Sequence, residues 1–367
     1  MGSLVVKIGT SSLSDPVTGD LRLSVLGGLA EVLTGLRRSG MSVILVSSGA
    51  VGVGCSRLGL KERPTSVPLK QAAAAVGQGL LMSMYDRLFG ALNQPVAQVL
   101  LTRQDLMDRV RYLNARQTLI ELLQLQVIPI INENDTVATE ELRFGDNDAL
   151  SALVAGLIDA QWLVLLTDVD GLYSANPNID PQAQLLHEVS EITEEMLRSA
   201  ASRGSQWGSG GMASKLEAAR IATTAGTTTV IASGRDPRHI PRILAGEALG
   251  TRFLAQPRTS QRKRWIAYGL VPVGALQLDA GAVRAVRDGG KSLLPAGIAA
   301  IEGGFEMGAL VRLKDASGNE FARGLVNYSS AELKKIRGHQ STEIPDLLQI
   351  DGAAPTVVHR DNLLILS

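Results

Sequence analysis

The chain has 367 residues, in which 36 lysine and arginine residues balance 36 aspartate and glutamate residues, and it contains a single cysteine. The length predicts two or three domains at about 150 residues each. The zero net charge argues against a dedicated nucleic-acid binder, an acidic tail or a polybasic membrane anchor. One cysteine excludes an internal disulfide framework and a cysteine-rich zinc site, and the four scattered histidines predict no protein-held metal.

The first residues, MGSLVVKIGTSS, run directly into a strand-like pattern, with no charged segment before an apolar one. We therefore expect no signal peptide. No segment approaches the about 20 apolar residues that a membrane span requires. These features, with the lone cysteine, favour a cytoplasmic location and no membrane partner.

Up to about residue 255, short apolar runs alternate with patterns of helical spacing. The runs predict buried strands at Leu4–Ile8, Val43–Ser47, Val96–Leu101, Val127–Ile131, Trp162–Thr167 and Thr228–Ala232. Leucines at helical spacing follow the first strand, from Leu26 to Leu36, and precede the fourth, from Leu119 to Leu125. Strands that are apolar on both faces and separated by helices predict a mainly parallel sheet between two helical layers, a three-layer αβα sandwich.

The pattern changes after Gly250. A polar and basic stretch follows, and from Gly274 the apolar segments are short and separated by glycine. They predict strands at Ala275–Leu278, Gly297–Glu302, Ala309–Lys314 and Glu320–Val326, and helices at Ala280–Arg287 and Ser330–Ile336. We therefore predict one domain over residues 1–255, a linker over 256–273 and a small β-rich domain over 274–367.

Two lysines stand where anions bind. Ligands of parallel sheets bind at the carboxyl ends of strands, and Lys7 ends the first predicted strand, where a buried cation is costly unless it meets an anion. Lys215 follows a glycine-rich loop, residues 208–211, that opens onto a helix predicted over Leu216–Ala225, and helix N-termini bind phosphate. The alternatives are an ordinary strand and turn around Lys7, and a flexible loop before a surface helix at Lys215.

Polar residues, Asp146 to Asp148, stand directly before a helix predicted over Ala149–Leu157. Asn147 and Asp148 could simply be helix N-caps, but we predict that Asp148 orients the two lysines and that Asn147 and Asp135 bind a polar substrate. Two lysines and two anion loops without a nucleophile–base pair favour phosphoryl transfer, which needs positioning and charge neutralisation. A carboxylate acceptor is already ionised and needs no general base.

Six segments resemble the amino acid kinases, and most closely those that phosphorylate the side-chain carboxylate of L-glutamate in the first step of proline biosynthesis. These segments are Val5–Leu13, Val46–Ala50, Ile131–Thr139, Phe144–Ala152, Leu165–Tyr173 and Gly208–Lys215. Towards the C-terminus, Gly289–Ile298 and Ala322–Ser330 resemble a PUA domain. The resemblance implies the amino acid kinase fold followed by a small β-barrel-like domain, with L-glutamate and ATP as substrates and Mg²⁺ accompanying the nucleotide.

The resemblance also implies roles for single residues. The catalytic groups would be Lys7, Asp148 and Lys215, and glutamate would be bound by Ser48, Asp135, Asn147 and Asn132. The residues expected at the nucleotide are Lys7, Gly9, Thr167, Asp168, Ser209, Gly210, Gly211, Met212, Ala213, Ser214 and Lys215. Feedback inhibition by proline and assembly into homodimers or homotetramers are implied as well.

Two alternatives stay open. One is another kinase of the same superfamily, acting on aspartate, acetylglutamate, carbamate or a nucleoside monophosphate. The other is a regulatory protein that binds RNA through the PUA-like domain, for which Arg258, Arg262, Lys263 and Arg264 would provide a basic patch. A solvated linker is the favoured interpretation of that patch.

Overall fold

The structure is a computed structural model. It describes residues 2–15, 21–60, 62, 64–138, 147–175, 177, 179–180, 182–201, 211–256, 272–350 and 353–366. The chain divides into two compact units, Met1–Arg258 and Thr259–Ser367. Within the described ranges, no helix is both long and apolar enough to cross a membrane.

An eight-stranded sheet forms the centre of the first unit. Its strands are β1 (Ser3–Ile8), β2 (Ser42–Ser47), β3 (Val96–Leu101), β4 (Ile128–Glu133), β5 (Trp162–Thr167), β6 (Glu188–Val189), β7 (Thr228–Ser233) and β8 (Thr251–Phe253). Their order across the sheet is β3-β4-β2-β1-β5-β7-β8-β6. Neighbours from β3 to β7 are parallel, whereas β8 runs antiparallel to β7.

Ten helices of the described chain belong to this unit. They are α1 (Thr10–Leu13), α2 (Leu23–Arg38), α3 (Ala50–Arg57), α4 (Val67–Gly90), α5 (Arg103–Met107), α6 (Arg109–Gln124), α7 (Asn147–Leu157), α8 (Glu194–Ala201), α9 (Met212–Thr224) and α10 (His239–Leu244).

Helices cover both faces of the sheet, but β3, predicted to be buried, lies at the edge of the sheet and buries only Leu101 of its six residues. Alternate residues of a strand point to opposite faces, so Leu4, Val6 and Ile8 join a core cluster with α2, α4 and α10. Val5 joins a second cluster with α6, α7 and α9 on the other face. The predicted three-layer arrangement with a mainly parallel sheet is therefore confirmed.

The predicted strands lie within two residues of the observed ones, and the differences have local causes. β4 continues to Glu133 because β3 extends beside it and pairs Leu100 with Asn132. The helix predicted from Leu216 begins four residues earlier, at Met212, after Gly211 in its N-cap position. The 24-residue helix α4 was not predicted, because its apolar and small residues surround the helix without a periodic polar face.

The second unit is built on a separate five-stranded sheet. Its strands are β9 (Gly274–Leu278), β10 (Ile298–Glu302), β11 (Leu310–Lys314), β12 (Glu320–Leu325) and β13 (Leu363–Ile365), in the order β10-β9-β11-β12-β13. Its helices are α11 (Ala280–Arg287), α12 (Ser330–Ile336) and α13 (Ile344–Leu348). The predicted β-rich character is confirmed, and α11 and α12 have the predicted bounds. The short elements β13 and α13 were not predicted.

Candidate active site

The site lies at the carboxyl ends of the central strands of the first unit. Lys7 is the penultimate residue of β1 and pairs with Val46 of β2 and Leu165 of β5. Strand alternation puts its side chain on the same face as Val5, which is the face covered by α7 and α9. A lysine at this position therefore points at the N-terminal turns of these two helices.

A single carboxylate joins the two predicted lysines. Asp148 Oδ1 lies 2.5 Å from Lys7 Nζ, and Asp148 Oδ2 lies 3.2 Å from Lys215 Nζ. All three side chains are buried, with Lys7 2%, Asp148 0% and Lys215 5% exposed. Two ammonium groups and one carboxylate carry a net charge of +1, and burial strengthens their interaction with a further anion.

Lys215 occupies the first turn of α9, where the helix dipole disfavours a cation. No acidic residue lies in that turn, and Asp148 of α7 supplies the compensating negative charge. Ser214 strengthens the connection, because its Oγ lies 3.0 Å from Asp148 Oδ2 and 2.9 Å from Gly211 O. The N-termini of α7 and α9 are thus held together by one buried carboxylate.

A second cluster, built on Asn147, lies beside the first. Asn147 Nδ2 lies 2.8 Å from Ser47 O, 2.7 Å from Asn132 Oδ1 and 3.1 Å from Ser48 Oγ. Asn132 Oδ1 also accepts the Glu133 N–H at 2.9 Å. Three of the four residues predicted to bind glutamate, Ser48, Asn132 and Asn147, therefore form one hydrogen-bonded group.

Gly49 shapes the backbone beside this group. Its φ of +104° lies in the left-handed region, which glycine adopts without the steric cost of a Cβ. The turn ends β2 and starts α3 at Ala50, so that Ser48 stands at the junction. Because Ser48 Oγ accepts from Asn147, its own O–H can donate to a bound ligand.

Asp135, the fourth predicted substrate residue, lies in the turn that follows β4. The N–H groups of Val137 and Ala138 donate to Asn134 O and close this turn. Asp135 is half-buried, three residues beyond Asn132. A carboxylate in this position is accessible to a ligand.

The residues predicted at the nucleotide fall into two groups. Thr167 ends β5, where its Oγ1 donates to Asp168 Oδ1 at 2.9 Å, and Asp168 is exposed. Met212 and Ala213 lie beside Ser214 in the first turn of α9. Ser209 and Gly210 lie outside the described residues.

Gly9, which the resemblance places at the nucleotide, lies between β1 and α1. Gly9 N–H donates to Leu166 O at 3.3 Å, and Gly9 O accepts from Ser12 and Leu13 N–H. The N–H of Gly9 is therefore already used within the protein. Thr10 and Ser11, which open α1, are exposed and lie one and two residues further on.

Helix α4 brings two residues to the site that the sequence did not indicate. Gln78 Oε1 accepts from Asn132 Nδ2 at 2.8 Å, and the Tyr85 hydroxyl lies 2.8 Å from Ser47 Oγ. Burial raises the pKa of the Tyr85 hydroxyl above its ordinary value, and the hydrogen bond to Ser47 offsets only part of the rise, so the group stays protonated. The available signal was their spacing of seven residues, about two helical turns.

The sequence is similar to known protein families and to known proteins over nearly its whole length. The model of the amino acid kinase family matches residues 3–233, and that of the PUA domain matches residues 274–348. A glutamate 5-kinase of Gloeobacter violaceus is 76% identical over 370 residues, which cover 100% of both chains. A glutamate 5-kinase of a Synechococcus species is 63% identical over 100% of this chain and 98% of the relative. One of a Nostoc species is 60% identical over 99% of this chain and 97% of the relative.

Proposed function

The chain belongs to the amino acid kinase family, and we propose that it transfers the γ-phosphoryl group of ATP to the side-chain carboxylate of L-glutamate. The products are ADP and L-glutamyl 5-phosphate. Identity of 60–76% to glutamate 5-kinases over nearly the full length of both chains supports this choice of acceptor. The proposed reaction needs no general base, because the attacking carboxylate is already ionised.

The buried arrangement of Lys7, Asp148 and Lys215 is the observation that carries the proposal. Phosphoryl transfer depends on positioning and on neutralising the charge of the transferring group. Lys7 projects from the sheet and Lys215 from α9, so the two ammonium groups approach Asp148 from different elements. In the proposed mechanism Lys7 contacts the transferring phosphoryl group and Lys215 the nucleotide phosphates, while Asp148 holds both in place.

The cluster around Asn147 supports binding of the acceptor beside this centre. Ser48 has an O–H to donate to a carboxylate, and Asp135 has a carboxylate that suits the α-ammonium of glutamate. Asn147 directly precedes Asp148 at the start of α7, so the two side chains stand at the same edge of the sheet. The acceptor and the phosphoryl group would therefore meet next to the Asp148 carboxylate.

Mg²⁺ is proposed as the ion that accompanies ATP. Among the described residues no group of three or more His, Cys, Asp or Glu side chains is arranged to hold a metal. Mg²⁺ commonly binds as its nucleotide complex, with ligands from phosphates and water rather than from a protein cage. When bound, it neutralises charge on the β- and γ-phosphate oxygens, and we assign it no ligand from the protein.

Trapping the acyl phosphate tests the proposed function. The protein is incubated with ATP and Mg²⁺ in the presence of hydroxylamine, and L-glutamate is compared with aspartate, acetylglutamate, carbamate and UMP. We expect glutamyl hydroxamate from glutamate and ADP release that depends on it. A clear preference for another acceptor, or ADP release without hydroxamate, would contradict the assignment.

Several further properties are also proposals. The division into a kinase domain (1–255), a linker (256–273) and a PUA domain (274–367) and a cytoplasmic location rest on sequence pattern and composition, whereas inhibition by proline and a homodimer or homotetramer rest on the resemblance. Initial rates measured against added proline and light scattering of the purified protein test the inhibition and the assembly.

A further inference from the structure

Helix α4 carries a row of polar side chains that faces the proposed acceptor site. Gln71, Gln78 and Tyr85 are spaced by seven residues, and because seven residues make nearly two helical turns, they lie on one face. Each contacts a different segment of the site. Gln71 Nε2 donates to Ala138 O at 3.3 Å, Gln78 accepts from Asn132, and Tyr85 bonds to Ser47.

We propose that Gln78 is a positioning residue for the acceptor, acting through Asn132 and Asn147; this inference rests on the proposed function. It does not require Gln78 to touch the substrate. Its effect is to fix which way the two asparagine amides point.

The direction of the amides follows from the two ends of the hydrogen-bond chain. The Glu133 N–H can only donate, so the Asn132 atom that faces it is the carbonyl oxygen Oδ1. The Ser47 carbonyl can only accept, so the Asn147 atom that faces it is Nδ2. Asn132 Nδ2 is then left to donate to Gln78 Oε1, which completes the chain.

This series of hydrogen bonds leaves the side-chain carbonyl oxygen of Asn147, Oδ1, for a ligand. Nothing in the described part of the chain donates to Asn147 Oδ1, whereas Nδ2 is fully engaged. The ammonium group of an amino-acid substrate can donate a hydrogen bond to that oxygen. Without Gln78, the amide N–H groups of Asn132 lose their hydrogen-bond acceptor. The Asn132 amide is then held less firmly in the orientation that binds Asn147.

The position of Gln78 is fixed by the helix crossing next to it. A Cβ added to Gly77 would lie 1.8 Å from Ala50 O, and one added to Gly54 would lie 1.8 Å from Ala73 O. Helices α3 and α4 therefore pack backbone against backbone at the residue preceding Gln78. Since α3 begins just after Ser48, the crossing sets the distance between Gln78 and the strand ends of the site.

The variant Gln78→Met removes the acceptor oxygen and keeps the length of the side chain. We expect its KM for glutamate to rise between about threefold and tenfold, the equivalent of one hydrogen bond, with KM for ATP and kcat within about twofold of the wild-type values. Gln117→Met is the matched control, because Gln117 is an exposed glutamine of α6 whose side chain bonds to Glu121, and it should change neither KM. Gln78→Ala should reproduce the effect of Gln78→Met, and because alanine is a good helix former this variant should keep α4 intact.

A double-mutant cycle with Asn132→Ala tests whether Gln78 acts through Asn132. Adding Gln78→Met to Asn132→Ala should raise the KM for glutamate no further. The inference would be overturned if Gln78→Met left the KM for glutamate unchanged or raised both KM values equally. Additive effects in the double variant, or failure of both Gln78 variants to fold, would overturn it as well. Wild-type protein that forms no glutamyl hydroxamate would instead overturn the proposed function, and this inference with it.

Discussion

Asp148 is completely buried, yet it bonds to two lysines from different elements. Removing one partner of a buried ion pair is far more damaging than removing an exposed pair, because a buried charge is left uncompensated. Here the loss of one carboxylate would leave two ammonium groups in the interior. Asp148 therefore has a structural effect on the strand–helix junction as well as its proposed role in catalysis.

Asp148→Asn keeps the shape of the side chain and removes its charge. We expect the free energy of unfolding to fall by about 3–5 kcal/mol, measured by urea denaturation. Asp159→Asn is the matched control. Asp159 pairs with Arg116 at 3.4 Å with both side chains 27% exposed, and asparagine suits its φ of +57°. The control should cost less than about 1 kcal/mol, and equal losses in the two variants would contradict this account of Asp148.

At the scale of elements, the close crossing of α3 and α4 connects the helices to the site. Both helices lie next to the end of β2, α3 through the Gly49 turn and α4 through the Tyr85–Ser47 hydrogen bond. Glycines at the crossing, Gly54 and Gly77, bring the two backbones into contact. A shift of α4 would therefore move Gln78 and Tyr85 together relative to the strand ends.

Gly77→Ala tests the crossing, because no real Cβ tolerates the 1.8 Å separation from Ala50 O. We expect α4 to move, the free energy of unfolding to fall by about 1–3 kcal/mol, and KM for glutamate to rise more than KM for ATP. Gly79→Ala on the same helix has no atom within 4 Å of its added Cβ. It should raise the free energy of unfolding by about 0.5–1 kcal/mol. If Gly77→Ala proved as stable as Gly79→Ala, the crossing would not constrain the helices.

For the whole molecule, the sequence predicted best the features that depend on local pattern. The six central strands are short apolar runs that hydrogen bonding to neighbours extends by a residue or two, as in β4. Lys7, Asn147 and Asp148 could be placed at strand ends and helix starts because the order of elements in a parallel sheet puts those positions at one edge. The resemblance to a family added the roles of single residues.

What could not be predicted depends on contacts between distant segments. Gln78 lies 54 residues from Asn132 in the chain, and no local pattern connects them. Apolar and small residues surround most of helix α4, so its bounds could not be derived from periodicity, and the seven-residue spacing of Gln71, Gln78 and Tyr85 did not show which distant segments they contact. The short β13 pairs with β12 only through a non-local antiparallel register.

The net charge of the chain is zero, but the charges at the site are not balanced locally. Lys7, Asp148 and Lys215 together carry +1, and Asp135 adds a negative charge three residues beyond Asn132. Such a site can receive highly charged small molecules while the protein as a whole has no net attraction for polyanions. In the proposed mechanism one buried ammonium group of this site, that of Lys7, acts on the transferring phosphoryl group.

The role of Lys7 is tested most directly by the rate at which Lys7→Ala forms glutamyl hydroxamate, compared with the rate of wild type. Lys334→Ala is the control, because Lys334 is an exposed lysine of α12. We expect kcat of Lys7→Ala to fall at least about a hundredfold, the usual cost of removing one group that stabilises transition-state charge. The variant should keep a cooperative unfolding transition, and Lys334→Ala should match wild type. A folded Lys7→Ala protein with near-normal kcat would contradict the account.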